Sequence, residues 1–536
     1  MTALPAAPGA RRPAVLAIVL GAIAVAFGVF FGETYIPRLP RHAGYYLVAV
    51  DDAVHEGAPP RPGRTVVVVV DGLRRESALG MKSVAVLRGA GQCRSMNVGP
   101  LTVSRPVYAI LSTGLEADRT GSRNNDETSP LAAESIWDVA RESGLEVIGA
   151  SHLPWFGQLF PRGFTRYHRT EPIADDIFAR EPLGDLDLFH PIYVDEAGHS
   201  FGAASAEYAA MVARADREVS GLLARLDLAH DVVVFTADHG HIKRGGHGSS
   251  QPEIANVLTC FAGAGILRRD EAPAFDARTL APTLALRLGL RFPRNMRAGE
   301  DDLDTMFDIV DLGASPAYAA DRRGAIAHFR DENAKAIEGW LSGGGRTWSA
   351  LYARDRTKSL QRMGGGLALY AVLFALVSRR AGIAWRSMAA TALWGLGLFG
   401  TAVALHVALR GSFDFTAVNS RASYVPACLG IGFVAGLAAI GVHLAVARSA
   451  SRLLRDQLTA LAFLLGLNVL HPLAFGWPLG FPLPARQLLL FPFFGAILLV
   501  AGGLLTVALG VVVLRRRTPR LPAIRDTATG GSRSRY

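Results

Sequence analysis

Residues 65–72 read TVVVVVDG. Five consecutive valines leave no polar face, the pattern of a strand buried on both sides of a parallel sheet. LFHPIYV at 188–194 and DVVVFTA at 231–237 repeat that pattern and are expected as strands. Between them, LAAESIWDVARESG (131–144) and SAEYAAMVARADREVSGLLARL (205–226) have the apolar spacing of amphipathic helices. Strand and helix alternate, so the expected class is α/β, a mostly parallel sheet sandwiched by helices.

This water-soluble pattern occupies only part of the 536 residues. Half of the chain is hydrophobic, 19% is charged, and the formal net charge is +10. Such a basic balance ordinarily points to nucleic acid or an anionic surface. Its distribution excludes that here. Residues 37–362 hold 38 Lys/Arg against 42 Asp/Glu, and the remainder holds 18 against 4. The excess basic residues flank apolar runs. Residues 14–32 are uncharged and follow Arg11 and Arg12; 19 residues span roughly 30 Å as a helix. Ala24-Val25-Ala26 has the small-x-small pattern of a signal cleavage site, but the apolar run continues through Phe31, which favours an uncleaved anchor. Five more spans are expected at 363–378, 388–409, 424–446, 457–475 and 487–514. Arg379, Arg380, Arg386, Arg448, Arg452, Arg455 and Arg515–Arg517 alternate onto one side, which places both termini in the cytoplasm and residues 37–362 outside. The expected order is therefore a cytoplasmic N-terminus and anchor (1–36), an extracytoplasmic catalytic domain (37–315), a helical linker (316–362), a five-helix transmembrane domain (363–514) and a basic cytoplasmic tail (515–536). Cys93, Cys260 and Cys428 are too few and too scattered for a disulfide framework or a CxxC metal site.

Four clusters in the soluble part hold residues with catalytic chemistry. Asp71 directly follows the valine strand, where open α/β sheets place ligands. In LTVSRPVYAILSTG (101–114), Ser104 begins a helix-compatible run; it reads as an N-cap or as a nucleophile. In YVDEAGHSFG (193–202), Asp195 and His199 are expected on a loop after a strand. In VVVFTADHGH, Asp238 and His239 end a strand, and His247 lies eight residues on in GGHG. Three Asp, three His and one Ser suit two divalent ions with N/O ligands; zinc is the default and manganese also fits. Two such ions neutralise an anionic phosphodiester and lower the pKa of a hydroxyl.

As an ordered set these motifs resemble the alkaline phosphatase superfamily. The branch most similar is the type I phosphodiesterase/nucleotide pyrophosphatase family, with its relatives the GPI ethanolamine phosphate transferases; the resemblance covers about residues 64–313. It implies one metal held by Asp71, Ser104, Asp238 and His239, and a second held by Asp195, His199 and His247. It also implies that Ser104 forms a covalent phospho-enzyme. Asn125, in SRNND, sits where pyrophosphatase-type members place a phosphate-binding Asn, and it reads equally as a turn residue. The pyrophosphatase-type nucleophile is Thr before Phe-Pro-Asn, whereas Ser104 precedes Arg-Pro-Val, which weakens a nucleotide substrate. The sulfatase signature is absent. Thr102 is a second, less favoured hydroxyl. His152, His168, His190 and His241 fall outside the matched positions, with His241 near enough to act as an acid. The expected function is a membrane-anchored phosphodiesterase or phosphoethanolamine-type transferase. Its expected substrate is a membrane lipid or lipid-linked glycan, with no nucleic-acid partner. The alternatives are an inactive membrane scaffold and a nucleotide pyrophosphatase.

Overall fold

The computed structural model describes residues 11–35, most of 63–343 and parts of 364–515. Residues 1–10, 36–62, 344–363, 469–489, 516–536 and shorter interruptions lie outside the described residues. Eight strands form one sheet: β1 Thr65–Val69, β2 Gly91–Asn97, β3 Val147–Ser151, β4 Arg166–Arg169, β5 Leu186–His190, β6 Val232–Thr236, β7 Asn256–Gly263 and β8 Phe275–Asp276. Their order is β4-β3-β5-β1-β6-β7-β2-β8. β1 pairs in parallel with β5 and β6, and β7 alone runs antiparallel, against β6 and β2. The fold class is thus as expected, a mostly parallel sheet with helices.

Val66 to Val70 are at most 2% exposed, so the valine run is covered on both faces. Each such side chain is worth about 1.5–3 kcal/mol of burial. One apolar cluster joins these strands to the helices Ser104–Thr113, Ile136–Glu142, Ala206–Leu223 and Leu280–Leu288. The Ile136–Glu142 helix starts at Ser135, whose side chain forms a reciprocal capping box with Asp138.

Two expectations need correction. LFHPIYV is not one strand. β5 stops at His190, Pro191 cannot donate to a ladder, and a helix begins at Tyr193. Asp195 and His199 therefore lie on that helix, Tyr193–Phe201, and not on a loop. Cys93 and Cys260 are also bonded to each other. They are 167 residues apart in sequence yet directly opposed in the β2–β7 ladder, a proximity that sequence spacing cannot show.

Asp187 points a carboxylate into the sheet interior with one oxygen bonded to Gly184 N–H. Burial raises its pKa to about 7. An acid raised on folding contributes stability below its unfolded pKa, near 4, and loses it as pH climbs through 7. Asp187→Asn keeps the Gly184 bond without the charge. It should stabilise the protein by on the order of 2–4 kcal/mol at pH 8, with the gain shrinking toward pH 4. Thermal unfolding across pH in detergent checks this; a pH-independent effect would contradict it.

Three described helices are long and apolar enough to cross a membrane: Ala14–Thr34, Tyr424–Val442 and Phe493–Leu514. The helix Trp385–Arg410 contains a shorter apolar segment, Gly397–Arg410. The spans expected at 363–378 and 457–475 are described only at scattered positions, and the basic tail lies outside the described residues. The first and last helices approach backbone to backbone. A Cβ on Gly21 would lie 2.8 Å from Gly503 O, one on Gly28 2.8 Å from Ala496 O, and one on Gly510 2.9 Å from Ala14 O. These partners run in opposite directions along the chain, so the two helices are antiparallel. Gly432 meets Ala501 and Gly436 meets Leu505, so Arg421–Ala447 runs parallel to Leu490–Arg515. Arg11 and Arg515 thus share one end of the bundle, and the turn before Arg421 lies at the other.

Candidate active site

The site forms where the carboxyl ends of β1, β5 and β6 meet. Asp71 leaves β1, Asp238 and His239 leave β6, and the helix after β5 carries Asp195 and His199 one turn apart. Gly72 makes this convergence possible. Its φ is +71°, and a Cβ there would lie 2.7 Å from Asp195 Cα.

All seven residues expected as ligands come together. Asp195, His199 and His247 offer atoms within 4.8 Å of one another, as do Asp71, Asp238 and His239. His199 Nε2 is 3.4 Å from Asp195 Oδ2 and 3.0 Å from His247 Nε2. His239 Nε2 lies 3.2 Å from Asp238 Oδ2, 3.5 Å from Asp71 Oδ1 and 3.3 Å from Ser104 Oγ. Asp238 Oδ1 accepts from Gly72 N–H at 3.1 Å and His239 N–H at 2.9 Å, while Asp238 Oδ2 has no hydrogen-bond partner among the described residues. Asp71 Oδ1 is buried and unpartnered in the same way. Orphaned buried carboxylate oxygens are costly. Two that face the same imidazole nitrogen form a donor set suited to a divalent cation.

The electrostatics agree. Burial, and then the negative charges of Asp71 and Asp195, push the Asp238 carboxyl well above the usual range. Burial would also raise Asp195, but His199, His241 and His247 hold it well below that range. Burial lowers His239 to about 4 and His247 well below its ordinary value, which keeps both imidazoles neutral and their lone pairs available. Burial opposes a charge on His199, but Asp195 and a hydrogen bond to Asn419 outweigh it and raise the group.

Ser104 is the first residue of its helix, is 2% exposed, and makes no cap bond. The N-cap position belongs to Val103. Ser104 Oγ instead faces His239 and the Asn125 amide, at 3.5 Å. Asn125 is oriented by its own carbonyl oxygen, which accepts Arg105 N–H at 3.0 Å. Thr102 is fully engaged. Its hydroxyl donates to Ser249 O at 2.7 Å and accepts Gly248 N–H at 2.8 Å, and its carbonyl meets His247 Nδ1 at 2.6 Å.

Sequence reasoning missed part of the site. His241 Nε2 is 2.7 Å from Asp195 Oδ1, and with Asp195 and His239 it completes a third group with ligand spacing. Its position two residues after His239 was the available signal. Tyr108 donates to Asp71 and sits 2.8 Å from His190 Nε2, whose Nδ1 meets Ser151 Oγ at 2.8 Å. This buried chain fixes the Asp71 carboxylate, and only its register on the Ser104 helix hinted at it. Asn419 contacts His199 from 220 residues away, with no sequence signal.

Residues 155–246 match the family model described as Type I phosphodiesterase / nucleotide pyrophosphatase. The chain is 24% identical over 269 residues to human GPI ethanolamine phosphate transferase 2, catalytic subunit, covering 44% of this chain and 27% of that protein. It is 31% identical over 128 residues to GPI ethanolamine phosphate transferase 1 of Candida glabrata, covering 23% of this chain and 13% of the relative. The chain thus spans about a quarter or less of the length of these relatives. Among solved structures, human ectonucleotide pyrophosphatase / phosphodiesterase 5 covers 42% of this chain and 95% of its own, at 14% identity and TM-score 0.37. The alkaline phosphatase PafA covers 47% of this chain and 100% of its own, at 11% identity and TM-score 0.39. The resemblance read from the motifs therefore holds in both the family model and the curated relatives.

Proposed function

We propose that this chain is a membrane-anchored phosphoryl-transfer enzyme that cleaves a phosphodiester through a covalent phospho-Ser104. The convergence of Ser104 with two carboxylate–histidine groups, the nearer of which has two buried carboxylate oxygens without partners among the described residues, carries this reading. Asp71, Asp238 and His239, with Ser104, would hold one divalent ion; Asp195, His199 and His247 would hold the other, zinc by ligand type. Bound ions would neutralise the phosphate and favour the serine alkoxide.

The chain's own residues account for the remaining steps. Ser104 Oγ attacks phosphorus, an O–P bond forms, and the bond to the departing alcohol breaks as that alcohol takes up a proton. The Asn125 amide, beside Ser104 Oγ, would donate to a phosphate oxygen. An acceptor hydroxyl then attacks the phosphoserine, its proton leaves, and the Ser104 hydroxyl is restored. Water attacking the same intermediate would give hydrolysis, which the family model's description favours as the second reading. An inactive scaffold has no need of unpartnered buried carboxylate oxygens.

The transferase reading draws on the relatives named for ethanolamine phosphate transfer. It makes the donor a phosphoethanolamine lipid and the acceptor a lipid-linked glycan. The bundle geometry supports an extracytoplasmic site, because the arginine-flanked ends Arg11 and Arg515 lie opposite the turn before Arg421, which contacts the site. A disulfide in the sheet fits an oxidising exterior. Product analysis of the purified full chain tests the reading, using phosphatidylethanolamine with and without a glycolipid acceptor. Diacylglycerol release, with phosphoethanolamine appearing on the acceptor, is the expected result. Cleavage of dinucleotides alone would overturn the lipid substrate.

A further inference from the structure

The turn at 411–419, between the helices Trp385–Arg410 and Arg421–Ala447, is built into the metal site. Asn419 Oδ1 lies 2.6 Å from His199 Nδ1, and Asn419 Nδ2 donates to His199 O at 2.8 Å. The side chain therefore grips one histidine at both its ring and its backbone. The opposite ring nitrogen, Nε2, faces Asp195 and His247. Asn419 is the one non-glycine residue with positive φ among the described residues, at 50°. L-residues adopt that backbone only where surrounding contacts impose it.

Those contacts are present. Gln251 Nε2 donates to Asp414 Oδ2 at 2.7 Å, and Thr416 Oγ1 donates to Gln251 Oε1 at 3.0 Å while meeting Ser249 Oγ. Asp414 also caps the turn by accepting Thr416 N–H at 2.9 Å. Arg244 donates to Leu409 O at 2.6 Å. The glycine segment that carries His247 lies flat against the same turn; a Cβ on Gly246 would be 2.2 Å from Thr416 O. Both His199 and the His247 segment are thus held from the membrane side.

We propose that Asn419 is a positioning residue for the second metal site: it fixes His199 as the Nδ1–H tautomer and aims Nε2 at the cation, so the membrane helices complete the site. An outer partner of this kind sets ring orientation and ligand basicity, and its loss typically weakens metal binding by about 10–100-fold. The proposal rests on the two-cation reading above.

The test is cobalt titration of metal-stripped, full-length chain in detergent, followed by the visible absorption of bound Co²⁺ without any substrate. Wild type should take up two ions. Asn419→Ala should bind one as wild type does and the other about 10–100-fold more weakly, with a changed spectrum for that ion. The unaffected Asp71/Asp238/His239 site reports that the variant is folded. Asn419→Asp, which keeps the acceptor oxygen, should restore most of the affinity. Wild-type affinity and spectrum in Asn419→Ala would overturn this inference alone, as would loss of both ions without rescue by Asn419→Asp. Fewer than two ions in wild type would overturn the two-cation reading and this inference with it.

Discussion

Replacing Ser104 with alanine is expected to lower phosphodiester turnover at least about a thousandfold, the scale seen when a covalent nucleophile is removed. The loss should be confined to chemistry. Ser104 caps nothing, and alanine is a better helix residue than serine, so the variant should fold as wild type does. On the two-cation reading, Asp71, Asp238 and His239 would still hold the adjacent ion, so metal content should change little. Thr102 cannot substitute, because its hydroxyl already serves Gly248 and Ser249. Rate measurement beside metal analysis separates the outcomes. Near-normal turnover would exclude the covalent route.

The second large effect is expected at Asp238, and it runs in opposite directions for activity and stability. Asp238→Asn keeps the oxygen that accepts Gly72 and His239 N–H, so the local backbone should be unchanged. It removes a buried carboxylate that is raised by burial and by the charges of Asp71 and Asp195. A raised carboxyl costs stability as pH climbs through its folded pKa, so the metal-free variant should melt higher than metal-free wild type at neutral pH and above. With metal present the order should reverse, because on the two-cation reading the variant would lack an anionic ligand and the stabilisation that binding confers. One ion should be lost per chain and activity should fall at least about a hundredfold. Melting curves with and without chelator check both signs. A metal-free variant less stable than wild type would mean that Asp238 is a structural residue.

The sequence made the sheet and most of the site legible because both are written locally. A valine run has one stable placement; Asp71 follows one directly, and Asp238 and His239 follow β6 within three residues. Asp195 and His199 stand out as a pair, but their helical setting does not, because an apolar stretch through Pro191 has the pattern of continued strand while the proline breaks the ladder. The remainder depends on long-range pairing. The Cys93–Cys260 bond follows from β-ladder register, and the Tyr108–His190 clasp on Asp71 follows from a helix crossing the strand ends. The Asn419–His199 contact joins the turn between two apolar helices to the helix after β5, and no local pattern encodes it. His241 is legible in the sequence as a nearby acid, and its ligand-like spacing to Asp195 depends on the fold.

The proposed covalent route has Ser104 carry the phosphoethanolamine group between donor and acceptor. The most direct measurement is mass analysis of the full-length chain, acid-quenched and digested during the first turnover of phosphatidylethanolamine. The peptide containing Ser104 should gain the transferred phosphoethanolamine group early and lose it when acceptor is added, and the Ser104→Ala chain should show no adduct. Turnover with the Ser104 peptide unmodified at every time point, or with the adduct on another residue, would contradict the claim.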